Sequence, residues 1–383
     1  MKISITICEY NPLHLGHKKQ FDSIRALYPD TGIVCLMSGN YVQRGAPAIF
    51  DKSLRAEAAI LCGADLVLEL PVTASLSSAE GFAAAGVRIL GGFCNRLCFG
   101  AESADKETLL STARALLSSE FPDRLRAELD KGVSFPTARQ AALIAMGVQA
   151  DTLSRPNDIL ATEYCKAILA QNSQMAPMPI VRAGNYHDTA IDEENPSATA
   201  LRGCMAEGGD WLKFVPEAAR AVFSNAPLHS LSAGEQAILY RLRTMTDADF
   251  EALPYGSEGL WRKLMHNARK YATLEEILTA TKSKRYTRTR LDRMVMCAFL
   301  GITQEDIASP APYARVLALN DKGRETLKIA RETGEFLNAG EAVDAPYQAL
   351  EQRAGMLYSM FANKPEPVYH EGDRRIYYKK ELI

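Results

Sequence analysis

The sequence predicts an α/β fold: a parallel sheet layered with helices through the first half of the chain, then a mostly α-helical second half. Three observations carry this expectation. Apolar runs alternate with helix-periodic stretches between residues 3 and 100, and βαβα order builds parallel sheets with helices on both faces. The first run, residues 3–7, reads as a buried strand. Beyond about residue 210 the alternation stops and only helical periodicity remains.

Taken in order, residues 3–7 form the first strand and residues 19–28 a helix, with Phe21, Ile24, Ala26 and Leu27 on one face. Residues 33–37 are the second strand, ending at Ser38-Gly39-Asn40, and residues 51–62 a helix stopped by Gly63. Residues 65–70 are the third strand, closed by Pro71; residues 77–90 are an alanine-rich helix suited to close packing on a sheet. Residues 96–99 are the fourth strand, ending at Gly100. Residues 107–146 are mostly helical, as a cap or insertion, and Asn157 is placed to N-cap a helix through Ala170. A fifth strand covers residues 178–181, with Arg182 just beyond it. Residues 192–196 read as a loop, and Ser197 caps a helix through Met205. Residues 230–245, 260–270, 274–282 and 290–300 fit amphipathic helices, and residues 376–378 a short terminal strand. The expected division is residues 1–195 as a Rossmann-like catalytic domain and 196–383 as a mostly helical domain. In such sheets ligands bind at the carboxyl ends of strands, near a switch in strand order.

Composition narrows the function classes. A net charge of −2 excludes a globally basic nucleic-acid binder, so any RNA contact must come from a local patch. Of eight cysteines only Cys94 and Cys98 lie close together, and no second Cys/His pair has metal-ligand spacing, so no metal site is expected. No apolar run is long enough to span a bilayer and no signal segment is evident, so a cytoplasmic protein is expected. Oligomeric state stays open.

The chemistry concentrates in Ile7-Cys8-Glu9-Tyr10-Asn11-Pro12-Leu13-His14-Leu15-Gly16-His17-Lys18-Lys19-Gln20. Two histidines flank a glycine where a strand turns into a helix. A helix N-terminus offers unpaired N–H groups and a positive dipole end. Glycine lets a nucleotide approach the backbone, and imidazoles donate to phosphate oxygens as charge builds. The spacing resembles the HxGH nucleotidylyltransferase superfamily, whose members mostly attack an α-phosphate and release pyrophosphate.

The resemblance continues along the chain. Ser38-Gly39-Asn40-Tyr41-Val42-Gln43-Arg44-Gly45, Gly63-Ala64-Asp65-Leu66-Val67-Leu68-Glu69-Leu70-Pro71 and Phe99-Gly100-Ala101-Glu102 occur in order. Arg155-Pro156-Asn157-Asp158-Ile159-Leu160, Arg182, Tyr186-His187-Asp188 and Ser197-Ala198-Thr199-Ala200-Leu201-Arg202 follow. Together they are similar to the bacterial tRNA(Met) cytidine acetate ligase family. The likeness spans nearly the whole chain, with its specific motifs before Arg202. It implies activation of acetate by ATP, giving acetyl-adenylate, and acetyl transfer to N4 of the wobble cytidine of elongator tRNA(Met); ATP chemistry brings Mg²⁺ with it. It also implies that the 7–20 segment, Gly100, Asn157 and Arg182 contact ATP. His14 and His17 then act electrostatically, and Arg202 neutralises the leaving pyrophosphate. Ala101 and Cys8 depart from the family pattern, where serine and a glycine or alanine are commoner. Singly, Gly100 reads as a strand end, Asn157 as an N-cap and Arg182 as the surface partner of an acidic neighbour.

Two further groups complete the expectation. Ser38, Asn40, Gln43 and Arg44 follow a neighbouring strand and are candidates for an acyl or cytidine pocket, against the plainer reading of a solvated loop. Lys282, Lys284, Arg285, Tyr286, Arg288, Arg290 and Arg293 set six cations around one aromatic ring. That composition suits an RNA backbone with a stacked base, against a solvated helix face. Two alternative functions stay open: a nucleotidylyltransferase moving AMP to a small phosphorylated acceptor, and a non-catalytic RNA-binding protein.

Overall fold

The computed structural model of the chain describes residues 1–102, 105–148, 153, 155–181, 192–193, 195–283, 286–343 and 346–380. Strand β1 (Ile3–Cys8) leads to helix α1 (Leu15–Leu27), then β2 (Gly32–Ser38), the short hairpin β3 (Tyr41–Val42) and β4 (Ala46–Pro47), and α2 (Lys52–Cys62). Next come β5 (Leu66–Leu70), α3 (Val72–Ser75), α4 (Ala79–Leu90) and β6 (Arg96–Ala101). Helices α5 (Lys106–Leu117), α6 (Phe121–Leu129) and α7 (Phe135–Ala145) form the insertion before α8 (Pro156–Ala170) and β7 (Ala176–Val181). A helical stretch follows: α9 (Ala198–Ala206), α10 (Glu217–Phe223), α11 (Glu235–Thr244), α12 (Asp247–Glu251), α13 (Leu260–Ala268), α14 (Leu274–Thr281), α15 (Arg288–Leu300) and α16 (Gln304–Ala308). The chain ends with β8 (Ala314–Asn320), α17 (Asp321–Ala330), β9 (Phe336–Asn338), α18 (Pro346–Tyr358) and β10 (Tyr377–Lys379).

The main sheet runs β10-β8-β5-β2-β1-β6-β7, with β9 beside β8. All its pairs are parallel except β5 with β8. From β1 the chain builds outward to β2 and β5, then crosses back to β6 on the other side of β1. That reversal places the topological switch between β1 and β6, where an open α/β sheet forms its ligand crevice.

Every residue of β1, β2 and β5 is buried, as strands covered on both faces are. Alternate side chains serve the two faces. Ile3, Ile5, Ile7, Val34 and Leu36 join α4 and α8 through Phe82, Leu90, Tyr164 and Ile168. Ile33, Cys35 and Met37 meet Phe21, Ile24, Ala56 and Ala59 of α1 and α2. A Cβ on Gly86 would collide with Ile7, so α4 lies on the sheet as closely as its small residues allow.

The helical stretch has its own core around Leu242, Phe250, Leu264, Ile277, Met294 and Leu300, and Tyr41, Val72 and Leu76 plug into it. Among the described residues no helix is long and apolar enough to cross a membrane.

One expectation about the second half is corrected. Strand alternation does not end near residue 210: β8 is wholly buried and pairs with β5, and β10 extends the sheet beyond it. The sheet therefore crosses the boundary expected between residues 195 and 196. Residues 314–320 carry no turn motif of their own, and their arginine, Arg315, hides its charge against buried Glu351. A buried cluster locks this return. Lys52 Nζ lies 2.7 Å from Glu69 and 2.8 Å from Glu371, while Arg374 meets Asp51 at 2.9 Å and Glu371 at 3.0 Å.

Candidate active site

Residues 9–14 connect β1 to α1 and carry the two histidines. Helix α1 begins at Leu15, four residues earlier than residues 19–28 suggested, because His14 caps it. His14 has extended backbone (φ −143°), and its Nδ1 accepts the Gly16 N–H at 3.1 Å. His17 Nδ1 accepts the His14 N–H at 3.2 Å. This is a reciprocal capping box made of imidazoles, where Ser or Thr with Glu is usual. With each Nδ1 accepting a main-chain N–H, a neutral imidazole at either position would carry its proton on Nε2, the tautomer that can donate to a phosphate oxygen. The two rings lie 3.8 Å apart, tilted by 30°.

Tyr10 fixes the arrangement from below. Its backbone is left-handed (φ 47°), its ring meets His17 edge-on at 4.8 Å, and its hydroxyl lies 3.3 Å from Cys35 Sγ. Burial, aided by the neighbouring Cys35 and Cys8, pushes the phenol well above its ordinary pKa, so it stays neutral. Gly16 has little room: a Cβ there would lie 3.0 Å from His14 Cε1 and 3.1 Å from Nδ1.

The loop opens on a cavity of about 1250 Å³, lined by Ile7 to Asn11, His14, Gly16, His17, Lys19 and Gln20 of the predicted segment. Pro12, Leu13, Leu15 and Lys18 do not line it; Leu13 is in the core and Lys18 pairs with Asp22 on the outer face of α1. The volume exceeds the roughly 300–1,000 Å³ typical of a single-ligand pocket. On the β6–β7 side, Gly100, Asn157, Ile180 and Val181 line the wall.

Asn157 is not the N-cap of its helix, as expected, but its second residue; Arg155 stands at the cap position without a side-chain bond. The Glu102 carboxylate caps instead. It accepts from Asn157 Nδ2 at 2.6 Å and from the Asp158 N–H at 2.8 Å, while Asp158 Oδ1 accepts the Glu102 N–H at 2.8 Å. Arg182 lies outside the described residues.

Ser197 caps α9, its hydroxyl accepting the Ala200 N–H at 3.1 Å. From that helix Arg202 reaches the β1–α1 loop, donating to Asn11 O at 2.6 Å and Thr199 Oγ1 at 3.1 Å. Arg202 and Ser197 both line the cavity, and Lys19 Nζ donates to Asn195 at 2.9 Å across its rim.

On the β2 side, the tip of the β3–β4 hairpin contributes Gln43 and Arg44 to the cavity wall. Ser38 and Asn40 do not line it. Ser38 is fully buried, and Asn40 bonds Asp51 and the Lys52 N–H at the start of α2. The hairpin and the residues after it are tied to the β1–α1 loop: Glu9 Oε1 accepts the Gln43 N–H at 2.7 Å, and Asn11 Oδ1 accepts the Ile49 N–H at 2.7 Å. Gly45 (φ 77°) lies so close to α15 that a Cβ would collide with the Arg293 backbone.

The basic segment is mostly engaged internally. Arg288 pairs with Glu275 at 2.7 Å and Asp292 at 2.8 Å. Arg290 donates to Tyr255 O at 2.7 Å and lies over the Tyr286 ring, whose hydroxyl donates to Glu258. Arg293 is buried and holds the hairpin through Gln43 O at 3.3 Å. Lys282 is exposed; Lys284 and Arg285 lie outside the described residues.

Several wall residues carry no local motif. Leu228 to Ser232, Thr289 and Asn363 close the cavity on the hairpin side. The first group replaces the start of the helix expected over residues 230–245, because α11 begins only at Glu235. The His229 N–H donates to Ile49 O at 3.0 Å, and Ser230 Oγ donates to Asn363 Oδ1 at 2.7 Å. Only the fold brings these segments together.

The model of the HIGH Nucleotidyl Transferase family matches residues 1–372. A Clostridium novyi protein described as tRNA(Met) cytidine acetate ligase is 38% identical over 349 residues, covering 86% of this chain and 87% of its own. The Clostridium acetobutylicum protein of the same description is 32% identical, with 100% of both chains covered. Among solved structures, Thermotoga maritima TmcAL in its apo form superposes with a TM-score of 0.90 at 29% identity over 100% of both chains. The form bound with alpha-thio ATP gives 0.88. A capped histidine pair at the switch point, within a match of this extent, places the chain in the HIGH nucleotidyl transferases and, among them, in the tRNA(Met) cytidine acetate ligase family.

Proposed function

We propose that the chain is an ATP-dependent acetate ligase that acetylates N4 of the wobble cytidine of elongator tRNA(Met). One observation carries the reading: two histidines at the head of α1, each holding a main-chain N–H on its Nδ1, line a cavity with room for a nucleotide and a second substrate. ATP lies with its triphosphate over His14, Gly16 and His17, and its nucleoside towards Gly100 and Asn157. An acetate oxygen attacks the α-phosphorus, the bond to the β-phosphate oxygen breaks, and pyrophosphate leaves. His14, His17 and Arg202 stabilise the charge that grows on the phosphate oxygens.

The acetyl-adenylate is itself reactive, so no protein nucleophile is required. The cytidine N4 amine attacks the acetyl carbonyl, AMP leaves, and the amine loses a proton. Gln43 and Arg44 stand on the acceptor side of the cavity. The target base must leave its stack to enter. Mg²⁺ would enter with the triphosphate and would screen its charge; among the described residues no three His, Cys, Asp or Glu side chains gather. A tRNA substrate supports a cytoplasmic reaction. The relatives' shared description does not favour AMP transfer to a small phosphorylated acceptor.

Exchange of labelled pyrophosphate into ATP tests the first step. The reading requires exchange that depends on acetate and falls at least about 10²-fold in His14→Ala with His17→Ala. Exchange indifferent to acetate, or near-normal in the double variant, would overturn it.

A further inference from the structure

Most described cations of the 282–293 segment are spent on internal contacts, yet the helix beside it carries a basic face. Helix α13 buries Leu260, Leu264, Asn267 and Ala268 against the helical core. Arg262, Lys263, His266 and, just past the helix end, Lys270 are all exposed. At about 3.6 residues per turn Arg262, His266 and Lys270 follow one another along one side, with Lys263 beside them. Residues 260–270 include no Asp or Glu. Arg269 pairs with Asp247 at 2.9 Å. Among the described residues none of the other four meets a carboxylate at ion-pair distance.

Aromatic rings are interleaved. The Arg262 guanidinium carbon lies 4.8 Å from the Trp261 ring centroid and Lys270 Nζ 5.3 Å from that of Tyr271. The face also connects with the cavity. Lys263 Nζ donates to Lys282 O at 3.4 Å, joining α13 to the basic turn. Arg290, next to the cavity residue Thr289, donates to Tyr255 O and Ser257 Oγ just before α13.

We infer that the exposed face of α13, with Arg262, Lys263, His266 and Lys270, is a docking surface for the phosphate backbone of the tRNA substrate, continuous through the start of α15 with the rim of the catalytic cavity. The inference rests on the tRNA reading above. A polyanion supplies the negative charge this side of the helix lacks, and each phosphate neutralised releases condensed counterions. An acidic protein could meet the same charge, but a rigid cationic stripe leading to a site that takes a nucleoside favours RNA.

The test measures tRNA(Met) binding without ATP across a KCl series, for the wild type and for Arg262→Ala with Lys263→Ala and Lys270→Ala. Each lost phosphate contact flattens the log–log salt slope by about 0.7–0.9. A slope flatter by about 2 and affinity at least about tenfold weaker are expected, with acetate-dependent pyrophosphate exchange unchanged. An unaltered slope and affinity, with exchange intact, overturns the inference. Should the triple variant lose exchange, Lys263→Gln and Lys270→Gln carry the same test singly, each flattening the slope by about 0.7–0.9; an unaltered slope in both overturns it. Wild-type protein that binds tRNA but lacks acetate-dependent exchange sinks the ligase reading and leaves the docking surface standing. Wild-type protein that does not bind tRNA overturns the surface.

Discussion

Replacing Arg55 should damage the site although Arg55 does not line the cavity. Arg55 is fully buried, and its guanidinium gathers main-chain carbonyls from three segments. Nε donates to Phe50 O at 2.9 Å, Nη1 to Glu9 O at 2.6 Å and Ser38 O at 3.1 Å, and Nη2 to Gly39 O. One side chain thus joins the end of β1, the end of β2 and the turn before α2. Burial lowers its pKa, but an arginine keeps its charge at any working pH. In Arg55→Ala four buried carbonyls lose their donor, at about 1–3 kcal/mol each if they stay dry. Relief of the buried charge and entry of water offset part of this, leaving a net loss of about 3–5 kcal/mol, typical when one member of a buried charged network is removed. Urea unfolding followed by circular dichroism measures it. Arg55→Lys keeps the charge but cannot serve all four acceptors, and should fall between wild type and Arg55→Ala in both stability and pyrophosphate exchange. A loss below about 1 kcal/mol in Arg55→Ala would refute the assignment.

Two further outcomes follow from the geometry. Gly16→Ala brings a methyl 3.0 Å from His14 Cε1, so exchange should fall about 10²-fold with little change in melting temperature, since alanine suits a helix better than glycine; unchanged exchange would show that His14 need not hold its place. Burial raises the Glu69 carboxyl from 4.5 to about 7; Lys52 opposes this, and the charges of Glu371 and Glu351 add to it. Glu371 shares Lys52 but is held below its ordinary value because Arg374 attracts it as well. Folded Glu69 therefore binds its proton more tightly than the unfolded chain does, and its contribution to stability declines as pH rises from about 4.5 through 7. Glu69→Gln should flatten that part of the stability–pH curve, and an unaltered curve in urea titrations would contradict the shift.

The parts of the site legible in the sequence are those whose chemistry is local. His14, Gly16 and His17 lie within four residues, and a strand before them with a helix after them is enough to read the loop. Ser197 likewise caps the helix that follows it. Asn157 reads as an N-cap but lies second in its helix, because that helix is capped from a distant carboxylate: Glu102 does this from the end of β6. The basic segment showed its charge, but not that Glu275 and Asp292 consume Arg288 or that the β3–β4 hairpin covers Arg293. Strand β8 was hidden for a related reason: it joins the sheet from more than 240 residues away, antiparallel to β5, and no periodicity in its neighbours announces the partner. Thr289, Ser230 and Asn363 come to the cavity from three distant segments, through tertiary packing alone.

The central claim is acetyl transfer to cytidine, and nucleoside mass spectrometry of elongator tRNA(Met) incubated with the protein, ATP, Mg²⁺ and acetate tests it most directly. The account predicts N4-acetylcytidine at the wobble position, formed with AMP and pyrophosphate and absent when acetate or ATP is withheld. Unmodified cytidine under these conditions, with the protein folded and the tRNA bound, would contradict it.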